Sequence, residues 1–283
     1  MTVKTIETAV TVGNSNDVES IQLTDEDRRE GKYSHETLAK ILGALNQDGL
    51  VVLKNVIPVD IIEKFNAKMC EDADRRISDP AQQYNHGVKS NILQRPPIAD
   101  PEYLKKDVYF NSYLLQVANA YLGPKPVWNW LTANTALANT GGKRQPAHKD
   151  SSFDHPLFPY YFIANIPLCD FSVENGSTEF WLGSHAHTTY LDQQIASTPE
   201  DIKPYPTTLV GGRIPPILDE VREKRRQVCP PIQPACCRGD IMIRDLRTWH
   251  ADVQAQWYTD EELEKTTADT IFDTRPTYSE ETT

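Results

Sequence analysis

The chain has 283 residues, 39% hydrophobic and 24% charged, with a formal net charge of −11. That is a globular composition long enough for one large β-rich domain or two small ones. The acidic balance argues against nonspecific nucleic-acid binding and against docking on anionic membrane. No stretch approaches the ~20 continuous apolar residues that span a bilayer. Met1 to Ser20 lacks the apolar segment of a secretory signal, and Cys70, Cys169, Cys229, Cys236 and Cys237 form an odd, irregular set. Reduced thiols and a cytoplasmic protein are therefore the expectation.

Residues 1–33 show no hydrophobic period and read as a flexible arm. From Ser34, a helix N-cap, Leu38, Ile41, Leu42 and Leu45 recur at helical spacing until Gly49. Leu50 to Val56 reads as a short strand. Pro58 then opens a helix with Ile61, Ile62, Phe65 and Met69 on its apolar stripe. Tyr84 to Pro97 reads as a loop, and Val108 to Leu122 as a third helix stopped by Gly123-Pro124. Beyond Pro126 come short aromatic and β-branched runs: Val127–Ala138, Tyr160–Leu168, Ser177–Leu182 and Ile241–Ile243. Helices followed by many short strands predict an α+β chain built on a double-stranded β-helix, or jelly roll. Thr198 to Pro234, rich in proline and charge, reads as an insertion or lid between strands.

The chemistry is concentrated in His148-Lys149-Asp150 and, about a hundred residues on, Trp249-His250. On extended backbone, side chains i and i+2 share a face, so His148 and Asp150 can reach one metal while Lys149 points away. With His250 they form the two-histidine, one-carboxylate set that holds non-haem Fe(II) and leaves coordination positions open. Gly239-Asp240 reads as the turn into the strand that delivers His250. A lone His-x-Asp pair is a common surface feature, so the distant His250 gives the motif its weight. His185 and His187 also stand at i, i+2, but they follow Gly183-Ser184 and read as loop residues. His155 precedes Pro156 and reads as a bend. Because Asp150 is present, hydroxylation, desaturation or a related oxidation is expected, rather than halogenation.

Three segments carry a family resemblance: Gln145-Pro-Ala-His-Lys-Asp150, Glu174-Asn-Gly-Ser-Thr-Glu-Phe-Trp-Leu-Gly-Ser-His185 and Arg238-Gly-Asp-Ile-Met-Ile-Arg-Asp-Leu-Arg-Thr-Trp-His250. Together they resemble the phytanoyl-CoA dioxygenase family of Fe(II)/2-oxoglutarate-dependent oxygenases, especially its fungal secondary-metabolism members. The resemblance implies a jelly-roll domain over 34–250, Fe(II), 2-oxoglutarate and O2, and oxidation of a small organic substrate. It implies His148, Asp150 and His250 as iron ligands, Gln145 and Thr178 as 2-oxoglutarate residues, and Asn91 on the substrate side. Trp249 is expected to pack beside the metal strand. A homodimer is compatible with this reading.

The pattern departs from the family past His250. An arginine expected about ten residues on, to grip the far carboxylate of 2-oxoglutarate, has no counterpart in Ala251–Thr274. Residues 251–283 carry nine acids against Lys265 and Arg275 and read as an acidic tail. About twenty residues are expected to be absent there, through splicing, a mispredicted intron or a deletion. Arg244, Arg247 and Lys149 are the cations that could stand in. The alternative is a family member without catalysis, retained for a binding or partner role. A cupin-like metal hydrolase or isomerase would need no such arginine.

Overall fold

The computed structural model describes residues 18–84, 91–137, 145–151, 153–173, 176–193 and 214–251. The acidic tail from residue 252, the first part of the expected arm, His86 and much of the expected insertion lie outside the described residues.

The part of the expected arm that is described is ordered secondary structure. Strand β1 (Ser20–Gln22) runs parallel to β2 (Leu50–Lys54), pairing Ser20 with Val52. Helix α1 (Asp25–Glu30) is fixed by a capping box, in which Thr24 Oγ1 accepts from the Asp27 amide and the Asp27 carboxylate accepts from the Thr24 amide. Neither element has an apolar period, because one is three residues long and the other is held by caps.

Helix α2 (His35–Asp48) starts at the Ser34 cap and buries Ile41, Ala44 and Leu45, as the spacing requires. It ends at Gly49, whose φ of +72° is a left-handed conformation that glycine adopts without strain. Helix α3 (Val59–Ile77) buries Ile62, Phe65 and Met69. The expected third helix is instead two, α4 (Lys106–Tyr109) and α5 (Ser112–Leu122). Asn111 separates them: its carbonyl oxygen accepts from the Tyr113 and Leu114 amides, and its Nδ2 donates to the Val56 and Asp107 carbonyls. Part of the expected 84–97 loop is likewise a strand, β3 (Asn91–Gln94), antiparallel to β4 (Ala133–Ala136). Within the expected insertion, α6 (Asp219–Val228) forms from strong helix formers, with acids in its first turn and arginines in its last.

The main sheet is ordered β1-β2-β7-β5, with β7 (Ile241–Asp245) antiparallel to both β2 and β5 (Phe162–Asn165). Strand alternation divides its side chains between two faces. Val51, Leu53, Ile241 and Ile243 join the core against α2, α3 and α5, whereas Leu50, Val52 and Met242 pack with Phe180 and Leu182. Phe180 belongs to a second, two-stranded sheet of β6 (Glu179–Phe180) and β8 (His250–Ala251). Helices thus cover one face of the main sheet and the β6–β8 ribbon covers the other. Among the described residues no helix is long and apolar enough to cross a membrane.

Candidate metal centre

Gly239 and Asp240 do open a buried strand, but that strand carries Arg244, not His250. The Asp240 carboxylate accepts from the Asn55 and Cys237 amides and pairs with Lys54, pinning the start of β7 to the end of β2. After Asp245 the chain reverses. The Arg247 guanidinium donates twice to the Asp245 carboxylate (2.8 and 2.7 Å), Tyr121 donates to it as well, and the Thr248 amide closes the turn on the Asp245 carbonyl. His250 emerges from this clamp on β8. The sequence places the histidine at the end of an uninterrupted strand; instead the buried Asp245–Arg247 pair holds a turn that carries the chain from β7 of the main sheet to β8 of the ribbon.

Among the described residues, His148 and Asp150 sit on a segment that joins the sheet by the His148–His250 bridge rather than within a regular strand. His148 and His250 exchange both backbone hydrogen bonds, amide to carbonyl, at 2.9 and 2.8 Å. Directly opposed residues of an antiparallel pair project to one side, and the two imidazole centroids lie 4.4 Å apart. Asp150, two residues on, reaches the same point: its Oδ1 is 3.8 Å from His148 Nε2 and 3.7 Å from His250 Nε2. One ligand atom from each residue falls within 4.8 Å of the others.

The outward nitrogens fix the tautomers. His148 Nδ1 lies 2.9 Å from the Pro146 carbonyl and His250 Nδ1 3.1 Å from the Thr248 carbonyl. A carbonyl only accepts, so each Nδ1 carries a proton and each Nε2 is the ring nitrogen left facing Asp150. Burial first, then the Arg244 guanidinium, hold His250 well below its ordinary imidazole value. Burial works against charge on Asp150, but Arg244, then His250 and His148, outweigh it and keep the carboxyl far below the usual carboxylate range. Two imidazole Nε2 atoms and one carboxylate, with the other positions uncommitted, fit a non-haem Fe(II) ion.

Lys149 points away, as the spacing requires. Fully buried, its Nζ meets the Thr189 carbonyl at 2.5 Å, His155 Nε2 at 2.9 Å and Thr188 Oγ1 at 3.2 Å. Burial, more than its neighbours, pulls its ammonium down to about 8. Trp249 packs with Trp181, Ala147 and Ile217, and its indole donates to Thr188. His185 is buried in the turn after Gly183 and His187 is exposed, both outside the cluster. Gln145 is buried three residues before His148. Thr178 lies two residues before Phe180, whose ring stacks on His250 at 6.2 Å. Asn91 belongs to the separate β3–β4 sheet, with its Nδ2 3.4 Å from Asn134 Oδ1. Arg244, which the motif leaves as one of three spare cations, is bound into the cluster: its Nη2 donates to Asp150 Oδ2 at 2.5 Å. The available signal was two charged residues, Arg244 and Asp245, closing an otherwise apolar buried strand, where each charge demands a partner.

Residues 45–251 match the phytanoyl-CoA dioxygenase (PhyH) family. The chain belongs to that family. Among curated relatives it is 27% identical over 159 residues to the iron/alpha-ketoglutarate-dependent dioxygenase penM of Penicillium thymicola, covering 52% of this chain and 51% of that one. It is also 27% identical over 225 residues to the iron/alpha-ketoglutarate-dependent dioxygenase ausO of Aspergillus calidoustus, covering 74% and 63%. The chain therefore spans between half and two thirds of the length of these relatives. Similar solved structures include EctD from S. alaskensis with 2-oxoglutarate and 5-hydroxyectoine (TM-score 0.54, 14% identity, 78% of this chain and 72% of that one). AviO1 from Streptomyces viridochromogenes Tue57 is similar too (TM-score 0.50, 18% identity, 78% and 89%). At those identities the likeness is one of fold.

Proposed function

We propose that this PhyH-family chain is an Fe(II)/2-oxoglutarate-dependent dioxygenase that oxidises a small organic substrate in secondary-metabolite biosynthesis. The observation that carries the reading is the convergence of His148 Nε2, His250 Nε2 and Asp150 Oδ1, with both Nδ1 protons committed to backbone carbonyls. His148, Asp150 and His250 would hold the iron. Iron with 2-oxoglutarate and O2 supplies the oxidising chemistry, with release of succinate and CO2. Gln145 and Thr178 are assigned to the 2-oxoglutarate side and Asn91 to the substrate side, as in similar enzymes. The two sheets that face each other through Phe180, Leu182 and Met242 would be the walls of a double-stranded β-helix.

The chain's own residues then do three things. The backbone carbonyls of Pro146 and Thr248 orient the imidazoles. Arg244 keeps Asp150 ionised and turned toward them. Phe180 covers the His250 ring. A bulky, apolar substrate fits the surroundings, because Phe153 and Phe158 are 52% and 66% exposed close after Asp150 and core packing does not account for them. Tyr160, 6.3 Å from the Phe153 ring, is tied to Ser151 (2.7 Å) and lies parallel to His155.

The test is succinate formation from 2-oxoglutarate by the full chain under air, with and without iron. Iron-dependent succinate that disappears in His148→Ala is the expected result. Iron binding without any 2-oxoglutarate binding would overturn the reading in favour of a non-catalytic, binding role.

A further inference from the structure

Arg244 contacts the metal cluster through only half of its guanidinium. Nη2 donates to Asp150 Oδ2, while Oδ1 of the same carboxylate faces the two histidines. Nη1 is buried and, among the described residues, has no hydrogen-bond partner. The side chain is 9% exposed, so water does not readily compensate. A buried guanidinium nitrogen left without an acceptor costs free energy unless something fills the position. The strand explains how the group gets there: Arg244 follows Met242 by two residues on β7 and so projects between the main sheet and the β6–β8 ribbon.

We infer that Nη1 of Arg244 is the donor for the metal-side carboxylate of a 2-oxo acid. This rests on the dioxygenase reading above and adds a residue that the motif did not assign. Two carboxylates, that of Asp150 and that of the 2-oxo acid, must then converge on one cation, and their mutual repulsion is relieved by a guanidinium held between them. The planar fork suits this, because its two NH2 groups reach different acceptors without rearranging. Arg244 sits one carboxylate away from the metal position. It therefore serves the near end of the co-substrate and leaves the far carboxylate of 2-oxoglutarate to other groups.

That placement separates the inference from a simple anchoring role. The full chain is loaded with Co(II), whose spectrum reports site occupancy. Titration calorimetry then measures binding of 2-oxoglutarate and of 2-oxobutyrate, which lacks the far carboxylate. Arg244→Met and Arg244→Lys are compared with wild type. The expected result is that both variants keep Co(II) and lose affinity for both acids by a similar factor, roughly 10- to 100-fold. Lysine keeps the charge beside Asp150 but cannot serve two acceptors through a fork, so it restores little. Should the Met variant not fold, the Lys variant decides alone. Unchanged affinities would overturn the inference, as would a loss confined to 2-oxoglutarate, which would assign Arg244 to the far carboxylate. Loss of Co(II) in the variants would overturn it too, because Arg244 would then act only through Asp150. Wild-type protein that takes Co(II) but neither acid would instead bring down the dioxygenase reading itself.

Discussion

Asp27 shows how much one buried carboxylate can organise. It is fully buried, and it accepts from the Ser34 amide (2.7 Å), the Thr24 amide (3.0 Å) and the Thr24 hydroxyl (2.8 Å), with Thr37 at 3.4 Å. It thereby ties the start of α1 to the start of α2. Burial opposes its charge, but the Ser34 and Thr24 donors prevail and its carboxyl lies below the ordinary 3.8. A depressed carboxylate stabilises the fold above its unfolded value, and that contribution is lost as pH falls through the folded one. Asp27→Asn is expected to cost about 1.5–3 kcal/mol at pH 7. The difference between variant and wild type in urea unfolding should narrow below about pH 4; a gap independent of pH would refute the ionic account. Adjacent cysteines offer a second residue-scale contrast. Cys236 is buried and its thiol is pushed up, by burial first and then by Asp240, whereas Cys237 is exposed. Iodoacetamide at pH 8 should alkylate Cys237 in the native protein and reach Cys236 only after denaturation, as peptide mapping would read.

At the scale of elements, the junction of α2 and β2 is coupled to the turn between β7 and β8 that presents His250. The Gly49 carbonyl accepts from the Asp245 amide (2.9 Å) and from the Thr248 hydroxyl (3.0 Å). A Cβ on Gly49 would lie 2.4 Å from Thr248 Oγ1 and 2.6 Å from His185 Nδ1, at a φ of +72°. Gly49→Ala should therefore cost about 2–4 kcal/mol, combining left-handed strain with overpacking. Because Thr248 supplies the carbonyl that orients His250, the same substitution should also weaken metal binding. Thermal unfolding and a Co(II) titration check both halves, and a destabilised variant with wild-type metal affinity would show the coupling to be absent. Which elements could be read from sequence follows from their physics. Helices α2 and α3 carry their burial in a 3.6-residue period, and His148 and Asp150 carry theirs in a spacing of two. Strand β1, the capped α1 and the charged α6 have no such period, since pairing, caps and helix propensity make them. The Arg244–Asp150 pair joins residues 94 positions apart on different segments, and no local pattern encodes that.

At the scale of the whole molecule, the three proposed ligands close a circuit that the backbone alone leaves weak. Among the described residues, the segment carrying His148 and Asp150 bridges β8 at His148–His250, and β8 pairs with β6 at Glu179–Ala251 and Phe180–His250. A divalent ion bound by His148, Asp150 and His250 would tie this ribbon to the 145–151 segment and, through Asp150 and Arg244, to the main sheet. Binding that occurs only in the folded state stabilises by about 2.7 kcal/mol at a hundredfold excess of free ligand over Kd. For a protein of this size that corresponds to a rise in Tm of about 4–5 °C. Mn(II) or Co(II) should produce that rise in wild type and none in His148→Ala or His250→Ala. The shift should shrink as pH falls toward the acid range, because the Nε2 lone pairs must be free to bind metal. An equal shift in the histidine variants would place the stabilising ion elsewhere on this acidic chain and would remove the physical basis for reading the cluster as its metal centre.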